Sequence, residues 1–213
     1  MRLNASEREQ VARAVRKAEA SLSAEIVPCV FEQSSPYPET LWGGAAAAMS
    51  LAVAAILLID ELHPLWMPTS SLLLWVPAAG LVGAALGRWC APIKRLLIGA
   101  PRMEAAAARR AKEVFFDHGI GRTAGRDGVL IYASLLEHRV VVLPDEVVRA
   151  KAAPGAWDAV VAAMTAHAVK GRVAEGLCAA VDKAAEALRA AGFGGSQSSG
   201  NELGDHPIEG DGR

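Results

Sequence analysis

Two uncharged, strongly apolar stretches, Leu41 to Ile59 and Leu65 to Gly87, interrupt a chain of 213 residues whose two ends read as water-soluble protein. A helix rises about 1.5 Å per residue and the hydrocarbon core of a bilayer is about 30 Å thick, so roughly twenty apolar residues are needed to cross it. Both stretches are about that long. The first holds neither charge nor proline and runs into Asp60, Glu61, Leu62, His63 and Pro64, a cluster that ends a helix. The second carries Pro68 near its start and Pro77 inside it, and Arg88 closes it. A kink is expected near Pro77, because neighbouring groups in a lipid-embedded bundle satisfy the carbonyl that a proline frees. Trp42, Trp66 and Trp89 fall near the ends, where amphipathic rings favour the headgroup zone. The alternative is a pair of buried helices in a soluble core, but such helices seldom run this far without a charge on any face. The N-terminus lacks the apolar segment of a signal peptide. A retained hairpin over residues 36–100, with helices at about 41–59 and 67–88, is therefore expected.

The flanks orient it. Arg88, Lys94, Arg95, Arg102, Arg109, Arg110 and Lys112 follow the second stretch, whereas the turn between the stretches carries Asp60 and Glu61 and no Lys or Arg. The positive-inside rule then predicts a two-pass membrane protein with both termini in the cytoplasm. Arg88, Lys94, Arg95 and Arg102 form a basic cluster at the membrane surface, a topology signal that would also attract anionic lipid headgroups. Within the stretches, Gly44 and Ala48 in the first, and Gly83 and Gly87 in the second, recur at the spacing that lets helix backbones approach closely. Packing within the hairpin is expected, the alternative being a homo-oligomer joined through the same faces. With no ionisable residue inside either stretch, an ion pathway or transporter site has nothing to work with.

The rest of the chain is close to electrically neutral, with a formal net charge of −1, which gives no reason to expect nucleic acid. Cys29, Cys90 and Cys178 lack metal-ligand spacing and suit a reducing compartment. Asn4 followed by Glu7 has the form of a capping box, and Val11, Val15, Ala18 and Leu22 recur at helical spacing, predicting a helix over about 5–23. Ile26 to Phe31 reads as a buried strand, with Pro28 pointing to an edge position or bulge. Residues 103–118 read as an Ala-rich helix ending at Gly119. Val129 to Ser134 and Val140 to Leu143 read as a strand pair joined by a turn, and two closing helices are expected over 157–170 and 173–190. The order strand, helix, strand favours a parallel first pair. From Gly192 onward the chain is rich in Gly, Ser and acidic residues and reads as a disordered tail. The expected organisation is thus an α/β domain made of 1–35 and 101–191, with the hairpin inserted between its first strand and second helix, and a tail over 192–213.

Ala24-Glu25-Ile26-Val27, Gly119-Ile120-Gly121-Arg122-Thr123, Asp127-Gly128-Val129-Leu130-Ile131, Glu137-His138-Arg139-Val140 and Leu143-Pro144-Asp145, together with Trp157 and the Gly171 and Gly176 region, resemble the TPM domain family. The resemblance covers nearly all of the soluble part. It implies a small α/β fold, and an activity that in some relatives is a phosphatase or divalent-metal function in service of membrane-protein assembly or repair. For a divalent cation such as calcium or magnesium the candidate ligands are Asp127 and Asp145, since such ions take carboxylate and other oxygens. Asp127 is equally explained as a turn residue before Gly128, and Asp145 as a helix cap. Glu137 and His138 read as exposed turn residues, and His118 and His167 have no partner at ligand spacing. No Walker loop, nucleophile elbow or zinc motif is present, and no other cofactor is implied. With the bacterial setting that the resemblance implies, the expected function is a noncatalytic two-pass protein of a bacterial inner membrane whose cytoplasmic domain binds membrane or cytoplasmic proteins in envelope assembly or quality control. The alternatives are a cation-dependent phosphatase, and a regulator linked to anionic lipid.

Overall fold

The computed structural model describes residues 3–62, 74–195 and 203–211, which fall into two compact units: 1–35 with 104–213, and 36–103. In the first unit, helix α1 (Ala5–Glu19) opens on a complete capping box. The Asn4 side chain accepts from the Glu7 amide at 2.8 Å, and the Glu7 carboxylate accepts from the Asn4 amide at 2.7 Å. Two of the orphan amides of the first turn are thereby satisfied.

Strands β1 (Ile26–Phe31), β2 (Val129–Ser134), β3 (Arg139–Pro144) and β4 (Ile208–Gly210) form one sheet in the order β3-β2-β1-β4. β1 and β2 run parallel, from Ile26 opposite Val129 to Phe31 opposite Ser134, and β2 and β3 form an antiparallel hairpin. Every residue of β1 and β2 is buried, because alternate side chains enter different cores. Ile26, Val30, Val129, Ile131 and Ala133 pack with α1 and with the helices Asp158–Ala168 and Val173–Ala190. Val27, Cys29, Phe31, Leu130 and Tyr132 pack with Ala107, Ala111 and Val114 of the helix Ala100–Asp117, and with Ile120.

The C-terminal segment departs from expectation. Residues 203–211, which read as disordered tail, place Ile208–Gly210 beside β1 as the parallel strand β4. Arg8 holds Glu209 at 2.6 Å and Arg16 reaches Asp205 at 3.5 Å, so the segment's acidic residues, a sign of disorder when read alone, are what α1 retains. Phe193 is buried and Leu22 bridges Gly194, tying down the start of the same region. β1 is consequently interior, although Pro28 suggests an edge. The amides of Val129 and Leu135 bond the carbonyls of Glu25 and Phe31 on the β2 side, whereas Ile26 and Glu32 direct theirs to the other side. Pro28 shares the phase of Ile26 and Glu32, so its missing N–H faces away from β2, where β4 pairs only from Cys29 onward.

In the second unit, helix α2 (Glu39–Leu62) packs against helix α3 (Trp75–Trp89). The expected second helix over 67–88 lies in part outside the described residues, as do His63, Pro64, Trp66 and Pro68. Pro77 occupies the first turn of α3, where a missing N–H costs nothing. The bend falls instead at Cys90: helix α4 (Ala91–Ile98) turns away from α3 by 91°. Pro92 is the cause, since it has no N–H to offer the Arg88 carbonyl and its ring would clash there in a continuous helix.

Candidate functional site

The site is built where β2 begins and β3 ends. Gly119, with φ +65°, terminates the helix Ala100–Asp117, and the 3-10 turn Ile120–Arg122 follows. The loop to β2 is closed by Thr123, whose hydroxyl donates to the Asp127 carboxylate at 3.1 Å and accepts from the Asp127 amide at 3.2 Å. Gly128 packs under the Ile120 carbonyl, which a methyl group at that position would strike. On the other strand, Asp145 donates its amide to the Gly128 carbonyl at 2.8 Å and caps the short helix Glu146–Lys151, its carboxylate accepting from the Glu146 amide at 2.7 Å. The β2–β3 register therefore brings Asp127 and Asp145, eighteen positions apart in the chain, to one end of the sheet.

A cleft of about 570 Å³ opens beside them, lined by Phe115, Phe116, Gly121, Leu143 and Asp145 among others, with Lys112, Arg122, Arg126 and Arg149 around it. Arg126 pairs with Glu146 at 3.3 Å. Lys112, Arg122 and Arg149 are exposed and make no ion pair among the described residues. Four cations against Asp145 and Glu146 leave the cleft electropositive, with two phenyl rings as an apolar wall. Such a surface attracts anionic groups. None of its cations was singled out by sequence except Lys112, which was assigned to topology.

The fit of a divalent cation is limited. One oxygen of Asp127 is engaged by Thr123 and one of Asp145 by the Glu146 amide, while Asp145 Oδ2 is buried without a hydrogen-bond partner among the described residues. Among the described residues, no three His, Cys, Asp or Glu side chains converge as a metal would require. Two carboxylates fall short of the six to eight oxygens that calcium takes.

At the opposite end, beyond the carboxyl ends of β1 and β2, lies a buried polar network that sequence reasoning missed. The Ser34 hydroxyl is 2.8 Å from the Tyr132 hydroxyl and donates to Ser134 at 3.0 Å; Ser134 donates to Glu137, which also accepts from the Ser34 amide at 2.7 Å. Glu137, expected to be exposed, is 3% accessible, while its neighbour His138 is exposed with φ +51°. Burial pushes the Tyr132 hydroxyl above the ordinary phenol range, so it stays protonated, and burial likewise keeps the Cys29 thiol un-ionised. With all its members buried, the network locks the hairpin loop to the segment after β1 rather than meeting solvent.

In the second unit, Gly44, Ala48, Gly83 and Gly87 meet. A methyl group on Gly44 would strike the Gly83 carbonyl, one on Gly83 would strike Ala48 and the Gly44 carbonyl, and one on Gly87 would strike the Thr40 carbonyl. The pairing 40 with 87, 44 with 83 and 49 with 80 makes α2 and α3 antiparallel. Of the basic cluster, Arg88 is exposed, Arg102 pairs with Glu39 at 2.8 Å, and Arg95 is half-buried. Lys94 does not join a surface group: it is buried, with its ammonium 5.8 Å from the centre of the Tyr37 ring, because its turn of α4 faces inward.

Residues 98–187 match the family model of the TPM domain. This segment is similar to the TPM domain. The NMR structure of BA42 protein from the psychrophilic bacterium Bizionia argentinensis is similar in fold, with a TM-score of 0.59 and 17% identity over 99% of this chain and 97% of that one. No curated protein matches the sequence. The unit that holds most of this match is mixed α/β, with the four-stranded sheet and predominantly helical surroundings described above. Its matched segment includes the whole lining of the electropositive cleft, Lys112 to Arg149.

Proposed function

We propose that this chain is a two-pass protein of a bacterial inner membrane, with both termini cytoplasmic, whose TPM-like domain binds a partner protein without catalysis, in envelope assembly or quality control. The observation that supports it is the state of α2. It is the one helix among the described residues long and apolar enough to cross a bilayer by itself, and only 6% of its apolar window is buried. Leu51, Leu57, Leu58 and Leu62 are each at least 60% exposed, an arrangement that costs roughly 1.5–3 kcal/mol per side chain in water and nothing in lipid. The second pass would be the apolar stretch Leu65 to Gly87, whose described part is α3, with the 91° bend at Cys90 separating it from α4. The cleft supplies the recognition chemistry: Lys112, Arg122 and Arg149, without an ion pair among the described residues, suit an acidic segment of the partner. Alkaline carbonate extraction of membranes tests the anchor, and release of the full-length protein into the soluble fraction would refute it. Affinity capture from mild detergent tests the domain, with capture unchanged in Arg122→Ala/Arg149→Ala refuting the cleft's role.

The second reading is a divalent-cation-dependent phosphatase, favoured by a buried Asp145 oxygen that has no hydrogen-bond partner among the described residues and lies beside an anion-attracting cleft. Asp127 and Asp145 would hold the cation, with water completing its shell. Calcium or magnesium titration followed by thermal melting separates the readings: no stabilisation, and unchanged phosphate-ester turnover in Asp145→Asn, eliminates this one.

A further inference from the structure

We infer that Ala91–Ile98 is an interfacial helix that lies in the headgroup zone of the bilayer, an inference that rests on the membrane reading of the hairpin. α4 leaves α3 at 91°, so if α3 stands along the bilayer normal, α4 lies in the plane of the surface. Its eight residues are about 12 Å long.

The side chains are arranged the wrong way round for water. Lys94 and Ile98 are buried, while Leu96 is 82% exposed and Leu97 and Pro92 are also exposed. A short helix that hides a lysine and presents leucines gains nothing from an aqueous surface, but at a lipid interface each outward leucine recovers its burial. The depth is marked independently. Gly87 meets Thr40, and Gly44 meets both Gly83 and Gly87, so Trp42 and Trp89 lie at the same end of the hairpin as α4. They are 73% and 78% exposed, the expected state of an aromatic belt at one membrane face. Arg88, exposed and without an ion pair among the described residues, lies at this level, where it meets lipid phosphates.

The test uses the full-length protein in nanodiscs of mixed phosphatidylcholine and phosphatidylglycerol, in a Cys29→Ala/Cys90→Ala/Cys178→Ala background. An environment-sensitive fluorophore is placed on Leu96→Cys or, separately, on Leu51→Cys in mid-α2, and is quenched with lipids spin-labelled near the headgroup or deep in the acyl chain. The expected result is quenching at Leu96→Cys about twofold stronger by the shallow label than by the deep one, with the reverse order at Leu51→Cys. A quenched Leu51→Cys with an unquenched Leu96→Cys overturns the interfacial helix and leaves the anchor standing. Deep quenching at both sites makes α4 part of a span and also overturns it, and no quenching at either site removes the anchor as well. Leu96→Trp in the otherwise unaltered chain adds emission that is read as the difference from wild type, and shallow brominated lipids should quench that difference more than deep ones without any change to the cysteines.

Discussion

Glu19 is a carboxyl at the end of α1 that is 8% exposed, and its Oε1 accepts from the Ile26 amide at 2.8 Å, joining the helix to the start of β1. Burial pushes its pKa up from an ordinary 4.5 to about 7; the Ile26 amide opposes that rise, and the carboxylates of Glu25 and Asp205 add to it. The unfolded chain releases this proton near 4.5, whereas the folded protein keeps it to about 7. Below the lower value both states are protonated and the site costs nothing. As pH rises between the two values the unfolded state alone ionises, so folding stability falls, and above about 7 the folded protein carries a buried carboxylate at full penalty. A rise of this size corresponds to a ceiling of about 3 kcal/mol, reduced to about 1–2 kcal/mol by local relaxation and water.

Glu19→Gln keeps the oxygen that accepts from Ile26 and removes the ionisation. The variant should therefore melt about 3–6 °C above the wild type at pH 8 and nearly with it at pH 5, judged at roughly 2–4 °C per kcal/mol for a chain of this size. Circular dichroism melts of the full-length protein in mild detergent at the two pH values provide the measurement. Glu19→Ala, which also orphans the Ile26 amide, should be less stable than Glu19→Gln at both pH values, by about 1–3 kcal/mol. A Gln-minus-wild-type difference that is identical at pH 5 and pH 8, or a Gln variant that is less stable at pH 8, would refute the reasoning.

Ser34→Ala should cost about 1–3 kcal/mol, because it leaves the Tyr132 and Ser134 hydroxyls short of a buried partner, and a melt within experimental error of the wild type would show that the network is dispensable. Gly210→Ala should release β4, since a methyl there would strike the Phe31 ring; the readout is faster hydrogen exchange at the Glu32 amide, which now donates to the Gly210 carbonyl at 3.0 Å. Asp145→Ala should lose about 1 kcal/mol through the cap of Glu146–Lys151, seen as a lowered melting temperature without added metal. Gly83→Leu should separate α2 from α3, because backbone carbonyls, not flexible side chains, stand in its way. Loss of a disulfide cross-link between cysteines introduced at Met49 and Gly80, which meet across the pair, would report that separation.

What the sequence discloses is set by how local each signal is. The capping box at Asn4 and Glu7, the glycine that stops Ala100–Asp117 and the turn-bounded run Val129–Ser134 are contained within a few residues, and each appears in the fold. Pro77 and Pro92 carry the same chemical signal, yet only Pro92 bends the chain, because a proline's effect depends on whether a turn of helix precedes it. β4 has almost no local signal: Ile208 is one apolar residue among Gly, Asp and Glu, and its strand state comes from β1, Arg8 and Arg16, about 180 to 200 positions earlier. The buried network is hidden for the same reason. Ser34 and Glu137 are ordinary polar loop residues until the parallel pairing of β1 with β2 sets them side by side. The cleft is the extreme case, its cations coming from a long helix, a 3-10 turn and a short helix, so that electropositivity arises in a chain with net charge −1 only once the β2–β3 register is fixed. A function that depends on this cleft is accordingly a property of the folded domain. Reversing one cation there, Arg122→Glu, should weaken capture of an acidic partner while leaving the melting temperature within about 1–2 °C of the wild type, because Arg122 is exposed and makes no ion pair among the described residues. A variant that captured the partner as well as the wild type does would move the binding surface elsewhere on the domain.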